Sequence, residues 1–420
     1  MKNIEMDVVV VGGGPAGLAA ALEAKKHHIE KVMIIERDVE LGGILNQCIH
    51  DGFGLHRFGK RLSGCEYADN FIVDVEEENI DVKLGTIVLE ITKDKVIYAM
   101  NEREGLMKIQ CGAIILAMGC RERTRSQVFL WGTRPCGVLT AGTVQRYINI
   151  EGYLPGKKAV ILGSGDIGLI MARRMTLEGI KVEGVYELMK TPGGLTRNIC
   201  QCLNDYDIPM HLATTVIRIH GAKKLEGVTV AKVDENRNPI KGTERYIECD
   251  LLVLAVGLIP ENELSRQLEV EIDPRTKGPI VDESFMTSEE GVFAAGNVVT
   301  VFDLVDYVSI TGEIAGRGAA KYLNGTLNLK EKYQSIIPGD NVNFVVPQII
   351  RKENLEETLP IYFRVKEQQK KAKVVGKIDG EICLSKNHVV VLPPEMIVEE
   401  INSEKIKSSN NELIVSVKVG

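Results

Sequence analysis

Apolar and polar positions along the chain follow two rhythms, a helix-and-buried-strand rhythm first and a period-two alternation later. Val8–Val11 is an unbroken β-branched run, the pattern of a strand buried on both faces. GGGPAG follows, then an Ala/Leu-rich segment that predicts a helix, then a second apolar run, VMII, ending at Glu36. Lys158 to Glu187 (KAVILGSGDIGLIMARRMTLEGIKVEGVYE) repeats the plan of strand, glycine turn, helix, strand and acid. Each unit also has a later apolar run that closes on glycine, CGAIILAMG at Gly119 and CDLLVLAVG at Gly257. Both lie about 100 residues after the start of their own unit, as the return strand of a dinucleotide unit should.

Between these landmarks Tyr67 to Asn79 predicts a helix, Ile80 to Leu106 short alternating strands, and Thr140 to Ile150 another helix. EGVFAAGNVV (290–299) is a third glycine turn, followed by a small-residue helical stretch within Asp303 to Leu323 that suits the first unit. The second unit is therefore an insertion and the first is discontinuous. From about Val342 the pattern changes to alternation with turn signals, and Asp379-Gly380 marks a hairpin. The expected fold is α/β: two Rossmann-like dinucleotide-binding domains, the second inserted in the first, plus a small C-terminal all-β domain. The expected boundaries are 1–150 and 261–337 for the first domain, 151–260 for the second, and 338–420 for the β domain.

A net charge of -7 disfavours a sequence-independent nucleic-acid partner, which needs clustered Lys and Arg. No apolar run approaches the ~18 to 20 residues of a membrane span. Val8–Val11 leads at once into a glycine turn rather than a cleavage site, which argues against a signal peptide. The nine cysteines are odd in number and dispersed, the usage of reduced thiols in a cytoplasmic protein. Cys200 and Cys202 stand in C-x-C spacing, which is neither a zinc pair nor C-x-x-C, so no metal site is expected.

The candidate chemistry sits at the glycines. Gly12 lets the chain turn out of the strand, Gly14 lets backbone approach a pyrophosphate, and Gly17 lets helix and strand pack closely. Glu36, at the end of the second strand, is placed to accept ribose hydroxyls. Gly163, Gly165, Gly168 and Glu187 repeat the set. Gly42 and Gly43 would let backbone pass beside a cofactor, and Asn46, Gln47, Cys48, His50 and Asp51 form a polar cluster after them. That cluster reads as a surface loop as readily as a catalytic one. Glu187 would repel a 2′-phosphate and no arginine adjoins it, which favours NAD over NADP, although Lys190 lies near.

Together these motifs resemble the two-dinucleotide-binding-domain flavoproteins, the superfamily of glutathione and thioredoxin reductases, over roughly residues 5 to 325. The resemblance implies FAD, with Gly12, Gly14 and Gly17 at the pyrophosphate, Glu36 at the ribose, Val88 near the adenine, and Gly296 and Asn297 near the ribitol. Many relatives have Asp where Asn297 stands. Pro15, Ala16, Arg37, Gly43, Ala117 and Gly119 would line the same site. NAD(H) would take Gly163, Gly165, Asp166, Gly168, Glu187 and Gly257. GGILNQCIHDGFG, GTRPCGVLTAG, GSGDIGLIMARR and DLVDYVSITGEIAG are more closely similar to alpha subunits of bacterial amine and amino-acid dehydrogenases, such as those of sarcosine oxidase, opine and proline dehydrogenases and hydrogen cyanide synthase, and most closely to the flavoprotein encoded beside glycerol-3-phosphate dehydrogenase. Those relatives commonly carry alanine where Cys136 stands. Such proteins work with a second flavoprotein subunit, and some with a small cysteine-rich subunit.

The resulting expectation is an FAD-dependent oxidoreductase that passes hydride or electrons between NAD(H) and a partner flavoprotein or other acceptor. A thioredoxin-reductase-like disulfide reductase is the alternative, and a nonenzymatic flavoprotein scaffold another. The disulfide reading needs a cysteine pair, and the sequence has neither C-x-x-C nor C-x4-C. Cys48, Cys120 and Cys136 would have to converge in space. Cys48, His50 and Cys136 are the candidates for the flavin's neighbourhood, and an oligomer is left open.

Overall fold

The computed structural model describes residues 1–330 and 332–420. Contacts divide the chain into two units, Met1–Cys120 with Pro260–Gly420, and Arg121–Ile259. The second interrupts the first, as the order of the motifs implies. Residues 121–150, expected with the first domain, belong to the second unit, because Val138–Thr140 runs parallel to Leu252–Leu254 and Ala141, Val144 and Ile148 fill that unit's core.

In the first unit the strand Lys2–Val11 is central. It pairs in parallel with Val32–Ile35 on one side and with the strand Gly105–Leu116 on the other. Val8–Val10 are fully buried, which is why this stretch is continuously apolar rather than alternating. Gly105–Leu116 serves two sheet regions: its first half pairs antiparallel with Val96–Asn101, and its end pairs in parallel with Val292–Ala294. The helix Pro15–Lys26 packs against the long helix Val305–Leu323 at very close range. A Cβ on Gly312 or Gly316 would lie 2.2 or 2.3 Å from the carbonyl oxygens of Ala16 and Ala20. The small-residue pattern of the second helix is thus a packing requirement.

The C-terminal strands form a five-stranded and a three-stranded sheet. The expected hairpin joins Gln369–Ile378 to Glu381–Val391, with both Asp379 and Gly380 at positive φ, 55° and 81°. A short helix, Ser403–Lys407, interrupts the β pattern; Ile406 is buried there and Asn402 caps it through Glu404 N–H at 2.9 Å. The three-stranded sheet, Val342–Val346, Thr358–Val365 and Ile397–Asn402, is not a free appendage. Its Phe344, Val346 and Tyr362, with Met396, belong to the same hydrophobic core as Val8–Val11.

The second unit has a five-stranded parallel sheet in the order Val138–Thr140, Leu251–Leu254, Lys158–Leu162, Lys181–Tyr186, Met210–His211. A three-stranded antiparallel sheet, Thr214–His220, Gly227–Lys232 and Arg245–Glu248, accompanies it. Among the described residues no helix is long and apolar enough to cross a membrane.

Candidate nucleotide sites

The three glycines of the first turn are there for different reasons. Gly12 adopts φ +110°, and a Cβ on it would stand 2.4 Å from Ala117 O. A Cβ on Gly17 would stand 1.8 Å from Gly12 O. Both are fixed by the protein itself. Gly14 has ordinary extended backbone (φ -80°, ψ -175°) and nothing within 4 Å of its Cβ position. It also precedes a helix that no side chain caps, so open space and unspent N–H donors coincide there. That combination fits a pyrophosphate. Gly42 N–H donates to Gly13 O at 2.9 Å, and a Cβ on Gly43 would come within 3.1 Å of Gly14 Cα, so the Gly42-Gly43 turn lies directly on the phosphate turn.

Glu36 is buried at 8% exposure, and each carboxylate oxygen takes one backbone N–H, Gly13 at 2.7 Å and Asp38 at 2.8 Å. One acceptor position remains on each oxygen, as two ribose hydroxyls require. Arg37 stands exposed just beyond it. Lys83, Gly85 and Thr86 bond to the backbone of Glu36 and Asp38, while Val88 sits in the next strand opposite Ala99.

The second unit repeats this geometry. A Cβ on Gly163, at φ +100°, would stand 2.1 Å from Ala255 O, one on Gly168 2.8 Å from Gly163 O, and one on Gly165 meets nothing within 4 Å. Glu187 accepts from Ser164 N–H at 2.9 Å and from Met189 N–H at 2.8 Å. The repeat also runs further than the fingerprint. Gly193-Gly194 follows Glu187 at the same interval as Gly42-Gly43 follows Glu36, and its turn too lies on the phosphate turn, through Gly193 N–H to Ser164 Oγ at 2.8 Å. Asp166, at the start of the helix, fastens that turn by accepting from Leu195 N–H at 2.9 Å and Asn198 Nδ2 at 2.6 Å. The equal spacing was readable in the sequence, but the helical apolar pattern draws the eye past it. Lys190 pairs with Glu235 at 3.0 Å, both exposed. Gly257 takes φ +101°, and its carbonyl accepts from Arg123 N–H at 3.0 Å.

Around the remaining first-unit positions, Gly119 takes φ +71° and Gly296 φ +69°. A Cβ on Gly296 would meet Ala16 Cβ at 2.8 Å, so these two stand side by side at the helix start. Asn297 Nδ2 donates to Cys120 Sγ at 3.6 Å. Cys48 is buried, and Gly64 N–H donates to its carbonyl at 2.8 Å. Cys65, in the helix Gly64–Glu77 and a residue the sequence gave no reason to single out, reaches the 43–47 turn: its Sγ donates to Asn46 O at 3.2 Å, while Cys48 Sγ donates to Ile44 O at 3.4 Å. His50 packs on Phe53 at 5.1 Å, and Asp51 pairs with Arg61. Cys136 is exposed in the second unit, its N–H bonded to Lys223 O. None of the nine cysteines is in a disulfide. Burial pushes the Cys111 and Cys249 thiols up to about 12, and it raises those of Cys202 and Cys383, so these four are poor nucleophiles at neutral pH.

Two glycine cradles, each closed by a buried acid and a second glycine pair, define an oxidoreductase built around two dinucleotides. The chain belongs to the pyridine nucleotide-disulphide oxidoreductase family, whose model matches residues 6–319, and the cofactors of that family are FAD and NAD(P)H. It is similar to hydrogen cyanide synthase subunit HcnB of Pseudomonas protegens, 29% identical over 64% of this chain and 60% of that protein. It is also similar to the NAD(P)H sulfur oxidoreductase (CoA-dependent) of Pyrococcus abyssi, 27% identical over 70% of this chain and 63% of that protein. The match thus spans under two thirds of both relatives. Among solved structures, the thioredoxin reductase of T. acidophilum shares the fold with a TM-score of 0.60, 24% identity, and coverage of 76% of this chain and 98% of that one.

Proposed function

We propose that the chain relays electrons between NAD(H), held by the second unit, and a partner flavoprotein, through FAD held by the first. The observation that carries this reading is the pair of matched cradles, in which Glu36 and Glu187 are each fixed by two backbone N–H groups. FAD, when bound, supplies the acceptor for the hydride of NADH. The protein's part is binding and orientation: Gly14 and Gly165 admit the pyrophosphates, the uncapped helix starts donate to them, Glu36 accepts from ribose hydroxyls through both oxygens, and Glu187 accepts through Oε1, its Oε2 being taken by Ser164. Glu187 sets the preference for NADH over NADPH.

A protein partner follows from what the chain lacks beyond these cradles. It has no C-x-x-C pair, and one relative it is similar to is named as a subunit of a synthase. A second flavoprotein subunit is the proposed partner, with a small cysteine-rich subunit as a further component and the 46–51 loop and the outer face of the β module as docking places. A reducing cytoplasmic setting suits nine cysteines of which none is in a disulfide. The alternative of a disulfide or sulfur reductase is favoured by one observation: the Cys48 and Cys65 thiols both donate to carbonyls of the 43–47 turn.

The test is an anaerobic NADH titration of the purified protein followed at the flavin absorbance. Bleaching by NADH, faster than by NADPH, is expected, and so is reduction of artificial dyes. The isolated chain should turn over glycerol 3-phosphate, sarcosine or proline only weakly. Rapid oxidation of any of them by the chain alone would end the relay reading, and no bleaching by either nucleotide would leave a scaffold.

A further inference from the structure

We propose that the C-terminal β module is a working part of the flavin site, with Arg364 and Tyr362 as positioning residues for Asn297; this rests on the placement of FAD in the first cradle. The segment from Asn297 to the start of the long helix at Val305 is the link between the two elements that reach that cradle. On the inside, Asn297 Oδ1 accepts from Phe302 N–H at 3.0 Å, which folds the segment back on Asn297. Gly296, the residue before, stands against Ala16 and Val308.

Asn262 Nδ2 holds the start of the segment by donating to Val298 O at 3.1 Å, and the β module holds its outer part, residues 301–303. Arg364 donates through Nη2 to Val301 O at 3.0 Å and to Asp303 Oδ1, and through Nη1 to Pro394 O. Asp303 Oδ2 takes Met396 N–H, so one carboxylate joins two strand ends of the module to the loop. Tyr362 sets its ring edge-on to Phe302 at 5.3 Å, and Tyr307 lies 6.1 Å away. Phe302 and Tyr362 are both buried. Phe302 therefore transmits position directly: its ring is packed by Tyr362 while its N–H orients the Asn297 amide. A planar guanidinium bridging a carboxylate and two carbonyls fixes direction as well as distance, which a lysine at the same place would not do.

The consequence is that loosening Arg364 should be felt as a change in FAD binding, not only in stability. The full-length protein is loaded with FAD, and FAD release and visible circular dichroism of the flavin are measured for the parent, Arg364→Met, Arg364→Lys and Asp303→Asn. Groups that orient metal ligands from outside change metal affinity by about 10- to 100-fold; by the same logic FAD release from Arg364→Met should quicken on that scale, with an altered flavin spectrum. Arg364→Lys should fall between it and the parent. His388→Gln, which breaks the 2.8 Å His388–Glu399 contact elsewhere in the module, should leave both readouts at parental values. If Arg364→Met does not fold, the near-isosteric Asp303→Asn decides. Parental release and spectrum in the folded variants overturn the proposal, as does an equal effect from His388→Gln. A parent that cannot be loaded with FAD instead overturns the placement of FAD itself.

Discussion

Glu187 is locked by Ser164, accepting both its N–H at 2.9 Å and its hydroxyl at 2.6 Å. Glu36, its counterpart, receives only the N–H of Gly13 from the same place in the first turn. With Met189 N–H on the other oxygen, the Glu187 carboxylate cannot swing away from an incoming 2′-phosphate. Its charge then opposes that group at close range and in partial burial, where screening is weak. NADH should therefore reduce the flavin faster than NADPH, by about tenfold or more. Glu187→Arg should narrow or reverse that ratio, read from stopped-flow bleaching with each nucleotide; an unchanged ratio would remove Glu187 from the specificity role.

The glycines separate into those the protein needs and those the ligand needs. Gly14→Ala places its methyl where no protein atom lies within 4 Å, on backbone that alanine adopts freely. The variant should fold and melt as the parent does, yet bind FAD more weakly by about 1 to 3 kcal/mol, the usual cost of overfilling a close contact. Gly17→Ala drives its methyl to 1.8 Å from Gly12 O and should lose the fold along with the flavin. Equal FAD affinity of Gly14→Ala and parent, by fluorescence titration, would place the pyrophosphate elsewhere.

The parallel-sheet architecture was legible because its signals are local: an apolar run, glycines at fixed offsets, and an acid at a strand end, each occurring twice. The hairpin at Asp379-Gly380 was legible for the same reason, since two successive positive-φ residues need such a pair. The boundary near residue 121 was not, because it depends on Val138–Thr140 finding Leu252–Leu254, a pairing between stretches more than a hundred residues apart. The β module's shared core was hidden likewise: Ile361, Tyr362 and Phe363 are buried in succession, and Tyr362, on the face opposite Ile361 and Phe363, enters the core of Val8–Val11 instead of the module's own. Cys65 reaches the turn of Cys48 only through the fold of the segment between them.

Cys48 and Cys65 give the sharpest choice between relay and thiol chemistry. In a relay neither sulfur takes part in passing electrons from NADH to an artificial acceptor. Cys48→Ser and Cys65→Ser should then keep NADH–dye turnover within about twofold of the parent, since serine replaces each thiol with little change of volume. A hundredfold loss in either, with FAD still bound, would favour a sulfur-based reaction.

The joint between nucleotide domain and β module should set how stability varies with pH. Asp282 accepts from Ser284 and Met286 and pairs with Arg351 Nη1 at 2.5 Å, wholly buried. Glu283, next to it, gives only Oε2 to Arg351 N–H at 2.7 Å. Its Oε1 is buried without a hydrogen-bond partner among the described residues. Burial first, and the Asp282 charge second, push the Glu283 carboxyl up to about 8, with Asn354 and the Arg351 N–H only partly opposing. Because the folded value lies above the ordinary 4.5, the native state holds a proton that the unfolded chain has released. Stability from this group is therefore full below 4.5, falls as pH rises toward 8, and levels off above it. Glu283→Gln keeps the acceptor for Arg351 N–H and removes the titration. Its thermal midpoint relative to the parent should rise steadily across that window and then stay constant. A difference between the two that does not vary with pH would show that Glu283 is ionised in the fold throughout.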